Sequence, residues 1–387
     1  MFRQGLSKKL PLPILFVFMK KSIGIESHCT TGLLTGAATY VSNLMHNIEK
    51  LYAQDPITCY SNRVPSHCSP FRTVVIPKLP LWTSVWLPLY HLTHPVPEVM
   101  LYPAHVLPMY SPAINVVTIF DLAFEIFPET FTTRDRLRLQ RLTRYSVQHA
   151  DHLIAISHST KRDLEELYGL GEERVSVIHL GYDEQRFRPV PLEETRHIKE
   201  KYGLHRPYLI TVGTLQKRKN HLTILRAMKQ LVDRGVELDL VLTGTKGWGY
   251  KELFAEIEQF NLTDYVKWTG YADLDDLAAL YSGAEAGVLV SLYEGFGLPV
   301  LETLACGTPM IVSNVSSLPE VGGEAVLMVD PLDVAGLADQ IERLLSDTAL
   351  QETLLLRAKE HLLKFSWHKT AKETMQLLQR VTPKNSR

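Results

Sequence analysis

Two carboxylates, Glu294 and Glu302, stand one short loop apart in SLYEGFGLPVLETLACGTPMIV (Ser291–Val312), with Gly295, Phe296, Gly297 and Pro299 between them. Apolar runs flank the stretch, so it predicts strand, loop, helix, strand, with Pro299 in the first helical turn and Gly307 past the helix end. Gly295 and Gly297 let the loop backbone approach a ligand with no Cβ in the way, and the helix N-terminus offers unpaired N–H groups and positive dipole. That combination suits a phosphate. The two glutamates would flank such an anion as acceptors for sugar and ribose hydroxyls. A tight strand-to-helix turn carrying surface glutamates would give the same pattern.

A cation for the anion is present in Gly213–His221 (GTLQKRKNH), directly after an apolar run. Lys217, Arg218 and Lys219 fall where a parallel strand delivers its loop, and Asn220 is placed to cap the helix predicted over Leu222–Leu231. A solvated basic turn is the alternative. Neither stretch is a Walker loop or G-x-G-x-x-G, which leaves ATP and nicotinamide without support. Asp273 and Asp275 have the D-x-D form of metal-binding carboxylates, yet the helix predicted over Leu274–Tyr281 makes Asp273 its cap and puts Asp276 in its first turn.

These groups need a scaffold to hold them. Short apolar runs alternate with helix-length amphipathic segments, the pattern of parallel sheets wrapped by helices. Strands are predicted at Ser22–Ile25, Thr73–Ile76, Val99–Tyr102, Val116–Ile119, Leu153–Ile156 and Val175–His179. Helices are predicted from Ala37 to Tyr52 and, capped by Ser159 and Thr160, onward to Tyr168. Gly181–Pro191 (GYDEQRFRPVP) interrupts the periodicity as an interdomain linker would. The alternation then restarts with strands at Tyr208–Val212, Leu238–Thr243, Val266–Thr269, Gly287–Ser291 and Met310–Ser313. The expected fold class is α/β, with two Rossmann-like doubly wound parallel-sheet domains facing a central cleft, residues 19–185 and 186–370. Residues 371–387 read as a C-terminal helix and tail packing back on the first domain.

A chain of 387 residues accommodates two such cores. Its 41 Lys and Arg against 42 Asp and Glu leave a net charge of -1, which excludes a whole-surface nucleic-acid footprint. Cys29, Cys59, Cys68 and Cys306 form no C-x-x-C pair, so neither zinc nor a disulfide framework is expected and a reducing, cytoplasmic compartment is. Leu10–Met19 is too short for a membrane span, and residues 1–18 read as an extension ahead of a start at Met19.

E-G-F-G-L-P-x-L-E over Glu294–Glu302 resembles the E-x7-E motif of retaining glycosyltransferases of family 4, whose two-domain architecture is the GT-B fold. Further matches follow in the family's order: Val117–Phe124 (VTIFDLAF), Ala150–Ser157 (ADHLIAIS), Arg174–Gly181 (RVSVIHLG), Val212–Asn220, Thr269–Tyr271 and Leu280–Ala284. The resemblance spans about residues 20–380 of the chain.

It implies that Glu302 holds the nucleotide ribose, that Glu294 contacts donor-sugar hydroxyls, and that Lys219 with Arg218 neutralises the diphosphate. Backbone N–H groups of Phe296, Gly297 and Leu298 would reach sugar and diphosphate. Gly270 and Tyr271 would lie by the base, and Gly36 would belong to a glycine loop closing over the diphosphate from the acceptor side, with an ordinary helix entry as the alternative. Many relatives read H-D-L where this chain has Phe120-Asp121-Leu122, and that histidine approaches the donor sugar. Either His105, from a neighbouring strand end, substitutes for it or activity is altered or reduced; a structural histidine before an apolar Val-Leu is the alternative for His105. The implied reaction is metal-independent, retaining transfer from a nucleotide diphosphate sugar, GDP-mannose ahead of UDP-sugars, to a glycan or lipid-linked glycan hydroxyl, with no cofactor beyond the donor. A degenerate sugar-nucleotide-binding partner subunit and a GT-B epimerase are the alternatives. Lipid-linked acceptors imply peripheral membrane contact, for which Arg134, Arg138 and Arg141 on one helix face and Trp82, Trp86 and Tyr90 on another are candidates, against a solvated basic face and a core-facing stripe.

Overall fold

The computed structural model describes residues 20–27, 36–63, 70–77 and 81–384. The expected extension, 1–18, lies outside them. Seven parallel strands, β1 (Ile23–Glu26), β2 (Ile57–Ser61), β3 (Arg72–Val75), β4 (Val99–Tyr102), β5 (Ile114–Ile119), β6 (His152–Ala155) and β7 (Val175–Val177), pair in the order β3-β2-β1-β4-β5-β6-β7. Six more, β8 (Tyr208–Val212), β9 (Asp239–Thr243), β10 (Val266–Gly270), β11 (Ala286–Leu289), β12 (Met310–Ser313) and β13 (Leu327–Val329), pair in parallel as β10-β9-β8-β11-β12-β13. Both orders reverse direction beside their first strand, between β1 and β4 and between β8 and β11. Loops leaving the carboxyl ends of two such neighbours diverge and leave room for a ligand. This is the doubly wound, two-domain GT-B architecture.

The central strands are short and apolar because they are covered on both faces: β4 (VMLY) and β9 (DLVLT) are buried along their whole length. Two strands have no counterpart among the sequence expectations. β2 (ITCYS) is poor in aliphatic residues; β1 and β3 pair its two edges, and its faces are covered by the helix Gly36–Tyr52 over Ile57 and Cys59 and by Trp82 and Leu87 over Tyr60, while β13 is a three-residue edge strand. The helix expected to be capped by Ser159 and Thr160 runs over His158–Tyr168, and its cap is Ser157, whose Oγ accepts the Thr160 N–H at 3.0 Å. Trp82 is buried with its indole N–H on the Ile76 carbonyl at 2.9 Å, and Trp86 and Tyr90 pack on the same core. The aromatic stripe therefore faces inward, which removes it as a membrane contact. Arg134, Arg138 and Arg141 are exposed. Among the described residues no helix is long and apolar enough to cross a membrane.

The last helix, Trp367–Arg380, returns to the first domain. Its Ala371, Met375 and Leu378 share a core with Val41, Leu44 and Ile48 of the helix Gly36–Tyr52, and Gln379 accepts the Lys21 N–H at 3.0 Å. The chain thus crosses between domains twice, and the crossings touch. A Cβ on Gly181 would lie 2.0 Å from the Trp367 nitrogen, so only glycine fits where they meet.

Candidate active site

At the β8/β11 switch point the basic turn meets the first glutamate. Lys217–Lys219 forms a single 3-10 turn after β8, and the Arg218 carbonyl accepts the Leu292 N–H at 2.9 Å, which fixes the loop after β11 beside it. Asn220 has left-handed backbone (φ 56°), and its side chain does not cap the helix His221–Asp233. Its Nδ2 instead donates to the carbonyls of Val290 (2.9 Å) and Pro331 (2.6 Å), because a buried amide gains more by satisfying two strand-end carbonyls than by serving a helix end beside it. Lys219 runs along the bare face of Gly213, where a Cβ would come 3.3 Å from its Cε.

Glu294 is buried among these groups. Its Oε1 accepts from Lys219 Nζ (2.6 Å) and Ser291 Oγ (2.6 Å), and its Oε2 from Arg218 (3.2 Å). Burial alone would raise the carboxyl, but Lys219 and Arg218 outweigh it and hold the group down to about 2. Arg218 also donates to the Tyr293 carbonyl. The loop itself is clamped from behind: Ser316 Oγ accepts the Glu294 N–H at 2.9 Å, and Ser317 Oγ bonds the carbonyls of Glu294 (2.9 Å) and Phe296 (2.8 Å).

The helix Leu298–Ala305 starts at Gly297, whose φ of 104° excludes other residues at low cost, and Pro299 lies in its first turn. The N–H groups of Phe296, Gly297 and Leu298 have no acceptor among the described residues. The Phe296 ring itself is buried in the core, edge-on to Phe365 at 5.9 Å. Glu302, one turn in, is half-buried with the Tyr281 hydroxyl on its Oε2 at 3.1 Å. Burial, with Asp183 nearby, pushes its carboxyl up to about 7 against the Tyr281 bond and Arg186. Gly270 ends β10 with φ 72° and accepts the Gly244 N–H at 2.7 Å, which leaves Tyr271 half exposed at the sheet's carboxyl end.

The opposite wall comes from the first domain. Phe120 directly follows β5, with its ring edge-on to Tyr40 at 5.3 Å, and its N–H donates to His105 Nε2 at 3.1 Å. His105 has left-handed backbone (φ 58°), its Nδ1 is buried without a partner, and burial lowers its imidazole against the pull of Asp121. Gly36 is exposed and opens its helix; the segment preceding it lies outside the described residues. Gly295 turns out to make room for protein. A Cβ there would lie 2.2 Å from the Phe120 carbonyl oxygen, across the crevice. Asp273 holds the N-cap position but makes no cap bond; Asp275 pairs with Arg186 (3.3 Å), and Asp276 pairs with Lys201 (2.5 Å) and accepts the Tyr202 hydroxyl (2.8 Å). Among the described residues the D-x-D carboxylates gather no third ligand.

Residues 89–186 match the family described as glycosyltransferase family 4, and residues 194–361 match glycosyl transferases group 1. O-antigen chain mannosyltransferase B of Escherichia coli is 30% identical over 263 residues, 67% of this chain and 68% of that protein. The chain belongs to the family 4, group 1 glycosyltransferases. A serotype-specific mannosyltransferase, WbdA of Escherichia coli, is 32% identical over 229 residues, which is 58% of this glycosyltransferase and 28% of the length of WbdA. Among solved structures, sucrose-phosphate synthase of Thermosynechococcus elongatus superposes with a TM-score of 0.74 at 22% identity, covering 92% of this chain and 98% of that one. Anabaena HepE with UDP-glucose gives 0.72 at 16%, covering 92% and 98%. Both share the fold.

In this glycosyltransferase Lys219, Arg218 and Glu294 form one cluster, and Glu302 stands a helical turn beyond on the same loop-helix unit. Sequence reasoning passed over Ser291, Ser316, Ser317, Tyr281 and Tyr293. The SNVSSLP run after β12 was the available signal for the two clamping serines, since hydroxyls bunched ahead of Leu318-Pro319 suit bonds to nearby backbone.

Proposed function

We propose that this glycosyltransferase moves a hexose, mannose from GDP-mannose ahead of UDP-linked sugars, to a hydroxyl of a glycan or lipid-linked glycan, with retention and without metal or cofactor. The observation that carries the reading is the buried Lys219–Glu294–Arg218 cluster beside the unbonded N–H groups at Phe296–Leu298. As the bond from the anomeric carbon to the phosphate breaks, negative charge grows on the leaving diphosphate, and Lys219, Arg218 and those amides would stabilise it. The acceptor oxygen bonds the same face of the carbon, and its proton passes to the departing phosphate oxygen. A carboxylate held near 2 by two cations is a weak nucleophile, which favours this front-face route over double displacement through Glu294. The mannosyltransferase relatives favour mannose, and the UDP-glucose complex of HepE keeps UDP-sugars in view. We place the protein in the cytoplasm at the inner membrane face, with exposed Arg134, Arg138 and Arg141 toward anionic lipid.

The deciding experiment is thermal stabilisation with GDP-, UDP- and ADP-sugars, with and without chelator, followed by NMR of the transferred anomeric centre. Saturating donor at a hundred times its dissociation constant should stabilise the fold by about 2.7 kcal/mol, and the product linkage should keep the donor's anomeric configuration. Binding with no transfer to any acceptor would favour the degenerate partner, a role to which Phe120 in place of histidine points. Conversion of the donor alone would make it an epimerase.

Glu302 adds a pH signature. Only the ionised carboxylate accepts both ribose hydroxyls, and burial holds it protonated up to about 7. Donor binding should therefore weaken as pH falls through 7, approaching tenfold per unit below it, while Glu302→Gln binds weakly at every pH. Calorimetry between pH 5.5 and 8 reads this directly, and a flat profile in the wild type would remove the ribose role.

A further inference from the structure

The helix His158–Tyr168 of the first domain is gripped by the second domain at three points. Glu320, on the short helix Leu318–Gly322, accepts the His158 N–H at 2.9 and 3.0 Å and the Ser159 N–H at 3.3 Å, so a carboxylate of one domain caps a helix of the other. Thr160 Oγ1 donates to the Phe120 carbonyl at 3.0 Å and stands 3.5 Å from the Gly295 carbonyl. The third grip is Tyr293. Its hydroxyl donates to Asp163 Oδ2 at 2.5 Å and accepts the Leu122 N–H at 3.3 Å, both in the first domain.

The third grip differs from the others in where it leads. Tyr293 directly precedes Glu294, and its own carbonyl accepts the Arg218 guanidinium, which also bonds Glu294. The ring is buried and leans on Phe127 of the first domain at 6.0 Å. One side chain thus joins the first-domain wall of the crevice, Asp163 and the Phe120–Leu122 segment, to the peptide that carries Glu294 and receives Arg218. Any parting of the domains would cost the hydroxyl both partners at once and the peptide its tether.

We infer that Tyr293 is a positioning residue that couples closure of the crevice to the alignment of Glu294 and Arg218, and that Asp163 is its counterpart in the first domain. The inference rests on the donor-site reading above. The side chains and amides assigned there to the diphosphate and ribose belong to the second domain, the Gly36 loop alone coming from the first, so donor binding draws little on the coupling; transfer draws on it fully, because the acceptor side belongs to the first domain.

Tyr293→Phe keeps the ring and its packing and removes the hydroxyl. We expect kcat to fall about tenfold to a hundredfold, the size of a lost hydrogen bond to a charged group, while the donor dissociation constant from calorimetry stays within about twofold. Small-angle scattering should show a wider donor-bound form than in the wild type. Asp163→Asn retains an acceptor oxygen for the hydroxyl and should lose less, and the double variant should be no worse than Tyr293→Phe, as two ends of one bond require. An unchanged kcat in Tyr293→Phe, or a loss that appears wholly in donor affinity, overturns the inference. If the wild type binds no nucleotide sugar, the donor-site reading falls by itself. The coupling is then read from ligand-free scattering, where an identical distribution of open and closed forms in wild type and Tyr293→Phe overturns it.

Discussion

Lys219→Ala should lower kcat by about a hundredfold to a thousandfold, the loss expected when one preorganised charge is taken from a developing anion. The same substitution should also unsettle the fold. Lys219 is one of two cations holding the buried Glu294 carboxylate, and stripping one partner from a buried ion pair costs about 3–5 kcal/mol. Arg218 remains at 3.2 Å, which sets the expectation at the lower end. A second variant separates the two effects. Lys219→Arg keeps a second cation beside Glu294, so its melting temperature should recover most of the loss, while the planar guanidinium does not take the ammonium's place at the anion and kcat stays well below wild type. Urea unfolding and nucleotide-release kinetics on both proteins make the comparison, and a Lys219→Ala protein of wild-type turnover would remove this side chain from the chemistry.

Gly295→Ala should leave a folded protein that binds donor and barely turns over. The backbone there is not left-handed, so alanine carries no conformational penalty within the loop. The obstacle is the other domain: the new Cβ would lie 2.2 Å from the Phe120 carbonyl oxygen, 3.0 Å from its carbonyl carbon and 2.9 Å from Asp121 Cβ. Two of those atoms are main chain at the end of β5 and cannot swing aside, so the crevice must stop short of closing by about 1 Å, a misplacement that typically costs about a hundredfold in rate. Donor affinity and melting temperature should hold. Gly297→Ala makes the contrast, since its φ of 104° and a contact of 2.7 Å with Leu318 Cδ2 lie within one domain and should lower the melting temperature instead. Equal stability losses in the two variants would mean that Gly295 serves the loop and not the closure.

What the sequence revealed was what neighbouring residues encode together. Pro299, Gly307 and the loop between Glu294 and Glu302 could be read because fixed φ, left-handed φ and helix ends are local properties. The basic turn was legible for the same reason. Partners supplied by another strand were not: Ser316 and Ser317 reach the Glu294 loop from beyond β12, and Tyr281 reaches Glu302 from the preceding helix. Asn220 misled because its type and position fit a helix cap, while burial next to the ends of two strands offered its amide better partners. Gly295 misled in an instructive way. Glycine signals close approach, and the sequence alone does not say whether a ligand or a facing backbone approaches. β2 escaped notice because only one of its five residues is aliphatic, and its burial comes from elements distant in sequence that cover its two faces.

The contact between Gly181 and the start of the last helix has a mechanical meaning. Two connections between rigid bodies ordinarily allow sliding as well as turning, but here both pass through one point, where Thr370 Oγ1 also bonds the His179 carbonyl at 2.7 Å. That point pins the two connections to each other close behind the crevice: Trp367 packs on Tyr40 at 6.2 Å, and Tyr40 on Phe120 at 5.3 Å, so the joint and the Phe120–Gly295 contact are near neighbours. A bulkier residue at Gly181 would wedge the two connections apart and shift one domain against the other, from a position outside the candidate site.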